Sequence, residues 1–172
     1  MEEKRNDKLR AQIQSLRSGN RSAILSTLKE LRAHGHISVL PDLFDLLAEQ
    51  ESEEIIAEIS SLLNDLKDQE GADLLSKAIS NPDYKEVQAH LVAACWQNGL
   101  AYGKYINTFL EVVITGEYSA AIEAFTVIEE AIGDLEQNQR ERMVTKFKAR
   151  LKEVDDEKKP LISELIKTIE RY

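Results

Sequence analysis

Ile24, Ile55, Val87 and Ala121 hold equivalent places in four successive helix-periodic segments, at steps of 31, 32 and 34 residues. A period in this range marks architectures built from repeated helix pairs, and it constrains this chain more than any other feature. One pair cannot bury its apolar stripe alone, so neighbours must stack on one another. The expected fold is all-α: a short right-handed α-solenoid of about four to five stacked antiparallel helix pairs, forming a single domain over residues 1–172.

Apolar residues at three- and four-residue steps, punctuated by glycines and prolines, define about nine helices. A leading helix from Glu3 to Ser18 carries Leu9, Ile13 and Leu16. Asn20 caps the next, with Ile24, Leu28 and Leu31, which stops at Gly35. A helix from Leu40 to Gln50 carries Leu43, Phe44, Leu46 and Leu47; Ser52 caps one bearing Ile55, Ile59, Leu62, Leu63 and Leu66. Past Gly71 come Leu74, Leu75, Ala78 and Ile79. Asn81-Pro82-Asp83 pairs a side-chain cap with proline in the first turn and opens a helix with Val87, Leu91, Ala94 and Cys95. Tyr102, Ile106, Phe109, Leu110 and Val113 mark the next, and Ser119 starts one with Ile122, Phe125, Ile128 and Ile132. A basic helix bears Met143, Val144, Phe147 and Leu151, and Pro160 begins the last, with Leu161, Leu165 and Ile169. Residues 1–19 and 154–172 are expected to cap the repeats of residues 20–153.

The stretch from Asn81 to Gly99, with its Pro-Asp turn, Val87, small residues and closing glycine, resembles the first helix of a HEAT-type repeat. Val39-Leu40-Pro41-Asp42-Leu43-Phe44-Asp45-Leu46-Leu47 resembles the second helix of such a repeat. The resemblance spans residues 20–153 and identifies a fold rather than a ligand. It implies a scaffold whose second helices line a concave surface.

Composition removes several function classes. Hydrophobic residues make up 42% and charged residues 31%, as in globular proteins. A net charge of -9 opposes nonspecific attachment to nucleic acid or anionic membrane. The longest uncharged run, Val87 to Gly103, contains Gln88, His90, Gln97, Asn98 and two glycines, so it is no membrane span. The charged start, Met1 to Asp7, lacks a secretory apolar region. A soluble cytoplasmic protein is expected.

No residue set reads as a catalytic, metal or cofactor site. His34 and His36 flank a helix end without a third ligand for zinc. His90 and Glu86 make a surface pair at a four-residue step. Cys95, the sole cysteine, shares a face with Leu91 and Ala94 and reads as a small core residue. Trp96 reads as packing within the least charged pair. The chain is therefore expected not to be an enzyme and to need no cofactor.

Charge is uneven. Between Asp42 and Glu70 stand ten acidic residues and one base, Lys67. Between Arg140 and Lys152 stand six bases and one acid, Glu141. Outward positions on the second helices form the expected partner-binding face. They are Asp42, Asp45 and Glu49, then Asp73 and Lys77, then Lys104, Thr108, Glu111 and Thr115, and finally Arg142 and Lys146. The function expected is a non-enzymatic scaffold that offers a concave, charge-polarised surface to a protein or peptide, with weak head-to-tail self-association as a corollary. Two alternatives stand beside it: a nucleic-acid binder using residues 140–152, and an accessory subunit of an enzyme.

Overall fold

Helix starts and stops are written locally. Asn20 accepts a hydrogen bond from the Ala23 amide at 3.1 Å and opens Arg21–His34. Glu136 and Gln139 cap reciprocally at the head of Gln137–Arg150. Gly99, at φ +70°, closes Gln88–Asn98 in the left-handed region that glycine enters without cost. Pro41 and Pro160 lie in first turns, where no amide is missed. The computed structural model describes residues 2–172, with side chains from Asn6 onward except that of His34.

Ten α-helices result: α1 (Glu2–Leu16), α2 (Arg21–His34), α3 (Leu40–Glu49), α4 (Glu53–Asn64) and α5 (Glu70–Ile79), then α6 (Gln88–Asn98), α7 (Ile106–Thr115), α8 (Tyr118–Ala131), α9 (Gln137–Arg150) and α10 (Lys159–Glu170). No strand occurs among the described residues. Several expectations need correction. Among the described residues there are ten helices, one for each segment enumerated from the apolar pattern, so the total is ten rather than about nine; α1 ends at Leu16, not Ser18. The Asn81-Pro82 opening yields a 3-10 segment, Pro82–Val87, bent at Tyr84, before α6 begins. Ser52 makes no side-chain cap bond, and α8 starts at Tyr118 behind Glu117 rather than at Ser119.

The helices pack in two ranks. In one, α2, α4, α6, α8 and α10 each touch the next. In the other, α1 packs on α3, α3 on α5, and α7 on α9, whereas α5 and α7 barely meet. Each sequential pair, α1 with α2 through α9 with α10, joins the ranks. The core lies between them and is continuous along the chain: Leu43, Leu63, Leu75, Leu91, Phe109, Ile128, Phe147 and Leu165 are wholly buried. Tyr102 meets the edge of Phe109 at 5.6 Å and 90°.

Polar bonds join neighbouring pairs across a sequence separation close to the 31- to 34-residue steps of the apolar pattern, two of them between α2 and α4 and one between α4 and α6. Arg21 pairs with Glu54. Arg32 Nε donates to Asp65 at 2.7 Å, and Asn64 Nδ2 donates to Gln97 at 2.6 Å. All three links span 33 residues. Gln69 both donates to the Ala101 carbonyl and accepts from its amide, at 2.8 and 3.0 Å. The buried Asn98 amide reaches the Leu63 carbonyl at 3.4 Å. Among the described residues no helix is long and apolar enough to cross a membrane.

Candidate partner-binding surfaces

The residues expected to bind a partner fall on α3, α5, α7 and α9, except Lys104, which lies in the 3-10 turn Gly103–Tyr105 before α7; the charged ones are half-buried or exposed. Most are already joined to one another or to neighbours. Asp42 accepts from Arg17 at 2.6 Å, and Asp45 accepts from the Tyr84 hydroxyl at 2.6 Å. That bond, followed by burial, pushes the Tyr84 phenol up to about 12. Lys104 pairs with Asp73 at 2.9 Å, bridging the sparse contact between α5 and α7. Its ammonium also stands 4.8 Å from the centre of the Tyr105 ring. Glu111 collects Lys146 at 2.7 Å and Arg150 at 2.5 Å. Burial raises the Glu111 carboxyl, but the bonds from Lys146 and Arg150 outweigh it and hold the group below its ordinary value. The Thr115 hydroxyl turns back onto the Glu111 carbonyl. Glu49, Lys77 and Arg142 are exposed with no side-chain partner among the described residues, and Thr108 is half-exposed.

The basic helix is largely spent inside the protein. Arg140 donates to the carbonyls of Leu135, Ile132 and Tyr172, holding the end of α8 and the C-terminal residue. Lys146 and Arg150 go to Glu111, and Lys148 goes to Glu170. Arg142 and Lys152 are the members of the run left over. A nucleic-acid groove needs a row of uncommitted cations along phosphates, and α9 offers little of one.

Two side chains read as packing are exposed. Trp96 is 40% accessible, and its indole Nε1 donates to Glu123 at 2.7 Å. Ile122 is 41% accessible, because the buried face of α8 runs through Ala120, Ala121, Ala124, Val127 and Ile128 instead. Tyr118, one turn before Ile122, is exposed as well. Trp96 borders a groove of 630 Å³ between the α6–α7 connection and the end of α8. A smaller groove of 340 Å³, including Arg32, His36, Asp65 and Asp68, lies between the α2–α3 and α4–α5 connections. Sequence reasoning passed over the Trp96 groove. The available signal was the stretch from Glu117 to Gln139, with six acids and no base.

Cys95 is buried, as expected, and burial pushes its thiol up to about 12. A thiol so protonated is a poor nucleophile at neutral pH. His36 Nδ1 is engaged with the Ser38 amide and hydroxyl at 3.2 and 2.9 Å, while the side chain of His34 lies outside the described residues. No group of three or more His, Cys, Asp or Glu side chains placed to hold a metal occurs among the described residues.

No protein-family model, no characterised protein and no solved structure matches this chain.

Proposed function

We propose that this chain is a short right-handed α-solenoid of HEAT-like repeats, and that it acts as a non-enzymatic scaffold binding a protein partner. The observation that carries the reading is the pairing of a repeated skeleton with an ordered polar face. Links at 33 residues tie successive pairs together, and ion pairs across α5, α7 and α9 fix the outward side chains of the other rank. Ion pairs that hold Asp73, Lys104, Glu111 and Lys146 order the platform from which the uncommitted side chains reach a partner, and order present beforehand is not an added cost of binding. Stacked helix pairs supply extended surfaces of this kind.

The partner contacts fall to outward residues without internal duties: Glu49, Lys77, Thr108 and Arg142. Asp42, Asp45, Asp73, Lys104, Glu111 and Lys146 shape the face from beneath, as members of its ion-pair and hydrogen-bond set. The test is capture from the source cell with the full chain and with a Glu49→Gln/Lys77→Gln/Arg142→Gln variant. At least one protein should be retained by the parent and lost by the variant while the circular dichroism of both stays equal. If every captured protein binds the variant equally well, this face is not the binding surface.

A further inference from the structure

We propose that the groove beside Trp96 is a second docking surface, built to take an arginine or lysine side chain from a basic segment of a partner protein. This rests on the binding-module reading, but uses a different surface from the face of α3, α5, α7 and α9.

The chemistry of the groove is selective. Its wall combines the indole of Trp96 with Val127 and Ala131, and its rim carries Glu130 and Asp134. Neither carboxylate has a cationic partner among the described residues. Lys104 also lines the groove, but its ammonium is paired with Asp73 at 2.9 Å and stands over the Tyr105 ring, and Arg140 is committed to the carbonyls of Ile132 and Leu135. The one lysine in the lining is thus balanced by Asp73, and Glu130 and Asp134 keep their charge unpaired among the described residues. The Glu123 carboxylate holds the indole N–H at 2.7 Å and so fixes the ring's orientation. A cation over an indole face, with carboxylates around it, is attracted by the ring quadrupole and the charges together. A guanidinium or ammonium on a long alkyl stem matches both halves of the site: the stem lies on apolar wall and the head reaches the rim. The volume of 630 Å³ is ample for one such side chain and its flanking backbone.

Trp96 is the chain's one tryptophan, so its emission reports on this groove alone. The full chain is titrated with octa-arginine and octa-lysine peptides, with octa-glutamate as control. A saturable change in emission is expected with the two basic peptides and none with the acidic one. By fluorescence anisotropy of labelled octa-arginine, Trp96→Leu should weaken binding about threefold to thirtyfold. Glu130→Gln/Asp134→Asn should weaken it about fivefold. Glu51→Gln/Glu53→Gln, which removes the same charge far along the chain, should leave binding within twofold of the parent. Circular dichroism of each variant establishes that the fold is kept. Equal losses in the two double variants would reduce the effect to net charge and overturn the proposal. So would the absence of any emission change, or a change produced by raising the protein's own concentration without peptide, which would make a second copy the occupant. Failure here with success of the Glu49/Lys77/Arg142 test would remove this groove and leave the scaffold reading standing; the reverse would relocate binding to this edge.

Discussion

Lys158 is the most deeply buried charge among the described residues, 2% accessible, and its removal discriminates between two opposing terms. It sits in the 3-10 turn before α10 and reaches back to the end of α7, donating to the carbonyls of Ile114 at 2.9 Å and Gly116 at 2.8 Å. Terminal helix carbonyls have no partner within their own helix, and a cation at that end also meets the negative pole of the helix. Lys158→Met keeps nearly the same length and apolar stem. It leaves two acceptors short of a donor, each at about 1–3 kcal/mol. Against this stands relief from burying an ammonium, a cost of several kcal/mol in an apolar site without good partners. With two short hydrogen bonds in place most of that cost is already offset, so the net loss expected is about 1–3 kcal/mol. For a chain of this size that corresponds to a fall in Tm of about 2–12 °C.

The Asp155 carboxylate lies 3.6 Å from the same ammonium but is 76% accessible. An exposed partner of this sort contributes little after screening by solvent, so Asp155→Asn should cost under about 1 kcal/mol. Urea unfolding followed by far-ultraviolet circular dichroism measures both variants, provided the slope of the transition is unchanged. A Lys158→Met protein as stable as the parent would mean that burying the charge outweighs the two bonds. An Asp155→Asn loss as large as that of Lys158→Met would mean that the ion pair, not the carbonyl clamp, holds the lysine.

Phe109 is fully buried and meets Tyr102 edge-on, so Phe109→Ala should cost about 3–5 kcal/mol by the same urea assay; a loss below about 1 kcal/mol would contradict its place in the core. Glu111 titrates below its ordinary value, so its contribution is complete above the unfolded-state value near 4.3 and fades as pH falls through the lower folded-state value. The stability gap between parent and Glu111→Gln should therefore be full at neutral pH and close on acidification, and a gap that widened with acid would refute the assignment.

The helix phases of the second helices were legible because bulky residues carry them. Leu43, Leu47, Leu75, Phe109 and Phe147 recur at helical steps, and all are wholly buried. The phase of α8 was misread because there alanines do the burying. Ile122 and Phe125 outweigh Ala120, Ala121 and Ala124 in any apolar pattern, yet small side chains are what let two helices approach closely. On α6 the buried positions are Leu91, Val92, Ala94 and Cys95, and Trp96 falls outside that face and stays 40% accessible. The polar links were hidden for another reason. Arg32 and Asp65, or Asn64 and Gln97, are ordinary surface residues until a period near 33 supplies the register that brings them together. The residues expected to form the binding face stand on α3, α5, α7 and α9 or in the turn before α7, but sequence alone does not tell a charge that meets solvent from one that meets its neighbour.

That distinction changes what the charge pattern means. In the sequence the chain is polarised, acidic early and basic late. In the folded protein Arg17, Arg21 and Arg32 neutralise Asp42, Glu54 and Asp65 within the acidic half. Four of the six bases in the late run are committed to carboxylates or carbonyls. What remains outward is mostly carboxylate, in keeping with a net charge of -9. Glu49, Glu51 and Glu53 lie toward one end of the chain, and Glu130 and Asp134 toward the other, with no cation partner at either place. A partner steered by this field would be basic along its length rather than polarised end to end. The field would raise its association rate more than its affinity, and salt would erase the effect beyond a screening length of about 8 Å. The Trp96 groove differs from the rest of that surface in one respect: it adds a short-range ring contact that salt does not screen away. A basic partner should therefore lose most of its on-rate to added salt while keeping a residual affinity that depends on Trp96.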